Sequence, residues 1–82
     1  MHEMHLLNEI LVMVRQCLKD KKVKSVKRIK VKVPLMRMIT PESLNEVFKT
    51  LPKEEVFNKT KLEVEIVSEN KLIIDEVEIE EG

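Results

Sequence analysis

The chain has 82 residues, 43% of them apolar, and its 15 Lys+Arg against 15 Asp+Glu leave no formal net charge. A chain of this length forms one domain, residues 1–82, with a small core. The charge balance gives no support to a dedicated nucleic-acid binder. A single cysteine, Cys17, excludes an internal disulfide and a thiolate-rich zinc site.

Met4, Leu7, Ile10, Leu11, Val14, Cys17 and Leu18 recur at three- and four-residue spacing. They predict an amphipathic helix from about Glu3 to Lys19, with Cys17 packed on its buried face. From Arg28 to Val33 the pattern alternates, with Ile29, Val31 and Val33 on one side of a half-buried strand and Arg28, Lys30 and Lys32 on the other. Pro34 ends that strand. An apolar, Met-rich connection, Leu35 to Ile39, follows. With Phe48 and Phe57 the only aromatics, Met4, Met36 and Met38 are expected to fill gaps in an aliphatic core.

Thr40-Pro41-Glu42 has the form of an N-cap, a first helical position and an acidic first turn. It opens a second helix whose buried face is Leu44, Val47, Phe48 and Leu51. Leu62, Val64 and Ile66 form a second strand, and Leu72, Ile74, Val77 and Ile79 a third. The shift in parity between Ile74 and Val77 predicts a β-bulge near Asp75 and Glu76. The short polar link Ser68 to Lys71, with Asn70 in a left-handed turn conformation, predicts that the last two strands pair as an antiparallel hairpin. The fold class is α+β in two layers. Two helices pack on one face of a three-stranded sheet, in the order α-β-α-β-β.

Charge is segregated along the chain. Lys19 to Lys32 carries eight basic residues and Glu63 to Glu81 eight acids. This predicts ion pairs across the sheet rather than a nucleic-acid surface, since no aromatics interleave with the lysines. The longest apolar run is too short to span a membrane, and the start is acidic where a signal peptide is basic, so a cytoplasmic protein is expected.

Little in the chain suits catalysis. The one glycine is Gly82, so no glycine-rich loop cradles phosphate, and no Ser or Cys stands in a nucleophile motif. The reading is that the chain is not an enzyme. What stands out is Met1-His2-Glu3-Met4-His5, which holds both histidines. A free amine at Met1, the amide and imidazole of His2 and the amide of Glu3 form a four-nitrogen set. Strong-field nitrogen donors in a plane suit Ni(II) or Cu(II). An unperturbed α-amine titrates near 7.7–8.0, so binding releases protons and weakens as pH falls. His5, one turn on, is either a further ligand or a solvent-facing residue of the first turn.

The Met1-His2-Glu3 start followed directly by an amphipathic helix resembles the HypA/HybF-type nickel metallochaperones of hydrogenase maturation. "VKSVKRIKVKV" (Val23 to Val33) resembles that family's first strand and its lead-in, and "ITPESLNEVFKTL" (Ile39 to Leu51) its capped second helix. "KTKLEVEIV" (Lys59 to Val67) and "NKLIIDEVEIEEG" (Asn70 to Gly82) resemble its last two strands. The resemblance implies a nickel-binding accessory protein for nickel-enzyme maturation, NiFe-hydrogenase above all. Its metal residues would be Met1, His2 and Glu3, with His5 beside them. Its partners would be a nickel-handling GTPase of the pathway, the apo-enzyme, or both. The family also inserts a zinc domain with two CxxC motifs between its last two strands, where this chain has only Ser68 to Lys71, so no zinc is expected. It carries a Gly-Glu pair where this chain has Pro34-Leu35. The alternative is an interaction module of the same fold that has lost metal handling and docks by a sheet edge or the Leu35–Ile39 loop. A homodimer with exchanged C-terminal strands is a further expectation, since a shortened hinge favours swapping.

Overall fold

The computed structural model describes residues 2–82. Helix α1 (His2–Cys17) is followed by strand β1 (Val23–Pro34), a 3-10 turn (Leu35–Arg37) and helix α2 (Pro41–Thr50). A second 3-10 turn (Glu55–Phe57), β2 (Lys61–Val67) and β3 (Ile73–Glu81) complete the chain. The α+β class and the α-β-α-β-β order are those the sequence predicts. Among the described residues, no helix is long and apolar enough to cross a membrane.

The sheet order is β2-β1-β3, with β1 parallel to β2 and antiparallel to β3. The expected β2–β3 hairpin does not form. Val67 pairs with Pro34 on one side of β1, and Ile73 pairs with Lys32 on the other. The link between them therefore steps over the C-terminal end of the central strand. Two inter-strand spacings amount to roughly 10 Å, within the reach of about 16 Å that five extended residues have. Asn70 does not take the left-handed conformation that a tight turn would need.

Electrostatics favours this order over the hairpin. A β2–β3 pair would set Glu63 and Glu65 against Glu76, Glu78 and Glu80, and like charges opposed across strands destabilise. With β1 in the middle, each acidic strand faces a basic one. The Arg28 guanidinium donates to Glu63 Oε1 at 3.0 Å and to Glu78 Oε1 at 3.2 Å, and also pairs with Glu76. The hydrogen bonds to Glu78 and then Glu63 hold Arg28 above its ordinary pKa. Lys30 Nζ lies 3.9 Å from Asp75, and Ser25 Oγ donates to Glu80 at 3.2 Å.

Three register shifts shape the β1–β3 pair. One is the bulge expected on β3, where Asp75 is the extra residue between Ile74 and Glu76. The other two lie on β1, at Lys24 and Lys27. The Lys27 bulge turns Val26 and Ile29, three positions apart, to the same buried face. It also hides the start of the strand from a search for strict alternation, so β1 begins at Val23 rather than Arg28.

On α1 the buried stripe is Leu6, Leu7, Ile10, Leu11 and Val14. Met4 and Cys17, expected inside, are exposed. Met4 sits at the margin of the stripe, about a quarter-turn from its centre at 3.6 residues per turn. Cys17 lies in the last turn, beside an open groove that Leu18, Ile74, Val77 and Ile79 also line. Met36 and Met38 are likewise on the surface and fill no core gap.

Helix α2 is capped as its sequence implies. Ser43 N–H donates to Thr40 Oγ1 at 3.0 Å, Ser43 Oγ donates to the Thr40 carbonyl at 3.0 Å, and Pro41 takes the first helical position. At the other end Lys53 Nζ donates to the carbonyls of Phe48 (2.8 Å) and Leu51 (3.3 Å). Thr40→Ala is expected to lower the unfolding free energy by about 1 kcal/mol. Chemical denaturation should show this as a lower midpoint at unchanged slope.

Candidate metal centre

The histidines stand at the very start of α1. Glu3 places an acid in the first turn, where it complements the positive end of the helix dipole. His2 and His5 are exposed, and Glu3 is half-buried. His2 and His5, three residues apart on a helix, share one side of it. Met1, the fourth residue of the expected set, lies outside the described residues.

The backbone here suits the chemistry. The first four N–H groups of an α-helix have no acceptor within the helix. The amides of His2 and Glu3 belong to that group, so recruiting them as donors breaks no helical hydrogen bond. Among the described residues, no three His, Cys, Asp or Glu side chains gather into a metal-binding cluster. The set expected from the sequence is of a different kind, since it uses one imidazole and main-chain nitrogens. Cys17, about fifteen residues along α1 and so roughly 22 Å from His2, is too distant to join it.

His5 has a neighbour that the sequence reading missed. Its Nε2 lies 4.0 Å from Glu9 Oε2, and the same oxygen accepts from Arg37 Nη2 at 2.6 Å. The i,i+4 spacing of His5 and Glu9 was visible in the sequence as a helical pair. Arg37 was not, because it comes from the turn after β1. The Glu9–Arg37 pair ties that turn to α1 one turn beyond His5.

A family model described as "Hydrogenase/urease nickel incorporation, metallochaperone, hypA" matches residues 1–78. The chain belongs to the HypA family. A curated relative, the hydrogenase maturation factor HypA of Moorella thermoacetica, is 32% identical over 65 residues, covering 79% of this chain and 58% of the relative. The chain thus spans little more than half the length of that HypA protein. No solved structure matches it.

Proposed function

We propose that this chain is a nickel carrier that holds Ni(II) as cargo at Met1-His2-Glu3 and serves the maturation of a nickel enzyme such as NiFe-hydrogenase. The observation that carries the reading is the HypA match, which runs from the first residue and so includes the Met-His-Glu start. Each donor has a distinct part. Met1 supplies its amine, His2 its amide and imidazole, and Glu3 its amide. His5, paired with Glu9, stands beside the set. The exposure of His2 at a helix end leaves the ion open to exchange, as delivery requires. The recipient or donor is a nickel-handling GTPase of the pathway, the apo-enzyme, or both. The chain carries metal and catalyses nothing, and no zinc takes part.

The test is visible spectroscopy of Ni(II) with the protein at neutral pH. It should compare the untagged chain with a form whose Met1 amine is acetylated. A yellow, diamagnetic, planar species is expected in the first and should be lost in the second, where the amine can no longer coordinate. Identical spectra would remove the amine from the site.

A second reading is an interaction module without metal handling. The exposed apolar side chains of the turn after β1 favour it. That reading expects neither form to bind nickel tightly.

A further inference from the structure

Strand β3 is one edge of the sheet, and among the described residues no strand pairs with its outer side. An open edge presents a row of unpaired N–H and C=O groups. From Glu76 to Glu81 the strand carries no extra residue, so this row is regular. The side chains are sorted by face. Val77 and Ile79 turn toward the helix layer and are half-buried, while Glu76, Glu78 and Glu80 turn the other way and are exposed.

The helix layer stops short of this edge. Helix α2 packs with β2, and α1 only grazes β3. What remains beside β3 is an open groove floored by Leu18, Ile74, Val77 and Ile79, with Cys17 at its lip. Lys21, Lys22 and Gly82 stand at one end of it. An apolar trough and an unpaired backbone edge thus form one continuous surface. Peptides that add a strand to a sheet use both parts, with main-chain bonds along the edge and alternate side chains in the trough.

Charge decides which strand fits. β3 carries Asp75, Glu76, Glu78, Glu80 and Glu81. On its paired side β1 answers with Arg28, which holds Glu76 and Glu78, and with Lys30, 3.9 Å from Asp75. Glu80 has only the hydroxyl of Ser25, at 3.2 Å. This acidic surplus turns away a second copy. The edges open in this fold are β3 and β2, and β2 sets Glu63 and Glu65 against one Lys61. Either edge of another copy would oppose like charges, which destabilises. A basic strand fits instead, and β1 shows the pattern on the occupied side. It has Arg28, Lys30 and Lys32 on one face and Ile29, Val31 and Val33 on the other.

We propose that β3 and its groove take an extended segment of a partner protein in which Lys or Arg alternates with Val, Ile or Leu. It adds to the sheet beside β3, its apolar side chains entering the groove at Val77 and Ile79 and its basic ones lying across from Glu78 and Glu80. Cys17, at the lip, is about 22 Å from His2 along α1, so the metal end stays uncovered. The inference stands whether or not nickel binds there.

The test uses the full chain and a capped peptide, acetyl-Lys-Val-Lys-Val-Lys-Val-Lys-amide, against its counterpart with Glu in place of Lys. Calorimetry should find binding of the lysine peptide alone, weakening as salt is raised. Amide exchange followed by NMR should show new protection at alternate residues between Glu76 and Glu81. Glu80→Lys combined with Glu81→Lys should melt as the parent does, since both side chains are exposed, and should bind the lysine peptide about tenfold or more weakly. Equal binding of the two peptides, no binding of the lysine peptide at millimolar concentration, or parental affinity in the charge-reversed chain would overturn the proposal. So would binding without β3 protection, which would mean that no strand is added. Protection of β3 that rises with the concentration of the chain alone would also overturn it, because the occupant would then be a second copy.

Discussion

His2→Ala is expected to weaken Ni(II) binding by more than about 100-fold, and His5→Ala by less than about tenfold. Replacing residues that merely support a metal ligand typically costs 10- to 100-fold, so removing the one imidazole in the donor set should cost more. His5 is placed differently, within 4.0 Å of Glu9 and one turn along the helix. In a planar four-nitrogen set it has no equatorial position to fill. Competition titrations against a chelator of known affinity, with untagged protein at fixed pH, would measure both. Equal losses in the two variants would point to a bis-imidazole site, and no loss in His2→Ala would end the proposal. Neither substitution should alter stability by more than about 0.5 kcal/mol, because both side chains are exposed.

The largest effect on stability is expected from Phe57→Ala. Phe57 is 1% exposed and is the largest fully buried side chain. It sits on a short turn whose own hydrogen bonds are few. Its N–H donates to the Glu54 carbonyl at 2.9 Å, and Thr60 Oγ1 ties the following residues to the Val26 carbonyl on β1 at 2.6 Å. Truncating a buried Phe costs about 3–5 kcal/mol. At about 0.05–0.15 kcal/mol per residue, a chain of this size has roughly 4–12 kcal/mol in all. The variant should therefore lose about 3 M or more of its urea midpoint, taking a slope near 1 kcal/mol/M. Met36→Ala, on the exposed turn after β1, is the control and should stay within about 0.5 kcal/mol of the parent. A Phe57→Ala midpoint within about 1 M of the parent would mean that the turn collapses over the cavity.

Local patterns in the sequence carried the elements well, and partners between distant elements poorly. Thr40-Pro41-Glu42 announced α2, and the broken parity at Asp75 announced a bulge, because in both the cause lies within a few residues. The β2–β3 hairpin was the natural reading of a short polar link. What decides against it is the charge of β1, many residues away, which draws an acidic strand to each side. Leu6 was passed over and Cys17 taken as buried because periodicity gives the angle of a helical face but not how far the sheet extends beneath it. For the candidate metal centre, the histidines and the helix start were legible. The Glu9–Arg37 brace beside His5 was not, because it joins two elements 28 positions apart. The exposed methionines were misread for a related reason: composition says that a chain is rich in Met, and only packing says which ones face water.

The step of the chain over the end of β1 has a consequence for how such a protein can be lengthened. Since β2 and β3 share no ladder, the Ser68–Leu72 link fixes neither strand's alignment; each takes its register from the central strand. Extra sequence spliced there would emerge at one end of the sheet and leave the paired core untouched. The entropic cost would be slight, about 0.6 kcal/mol for each doubling of a flexible loop. That junction behaves as a socket, able to carry an accessory unit or to be closed off by a handful of polar residues.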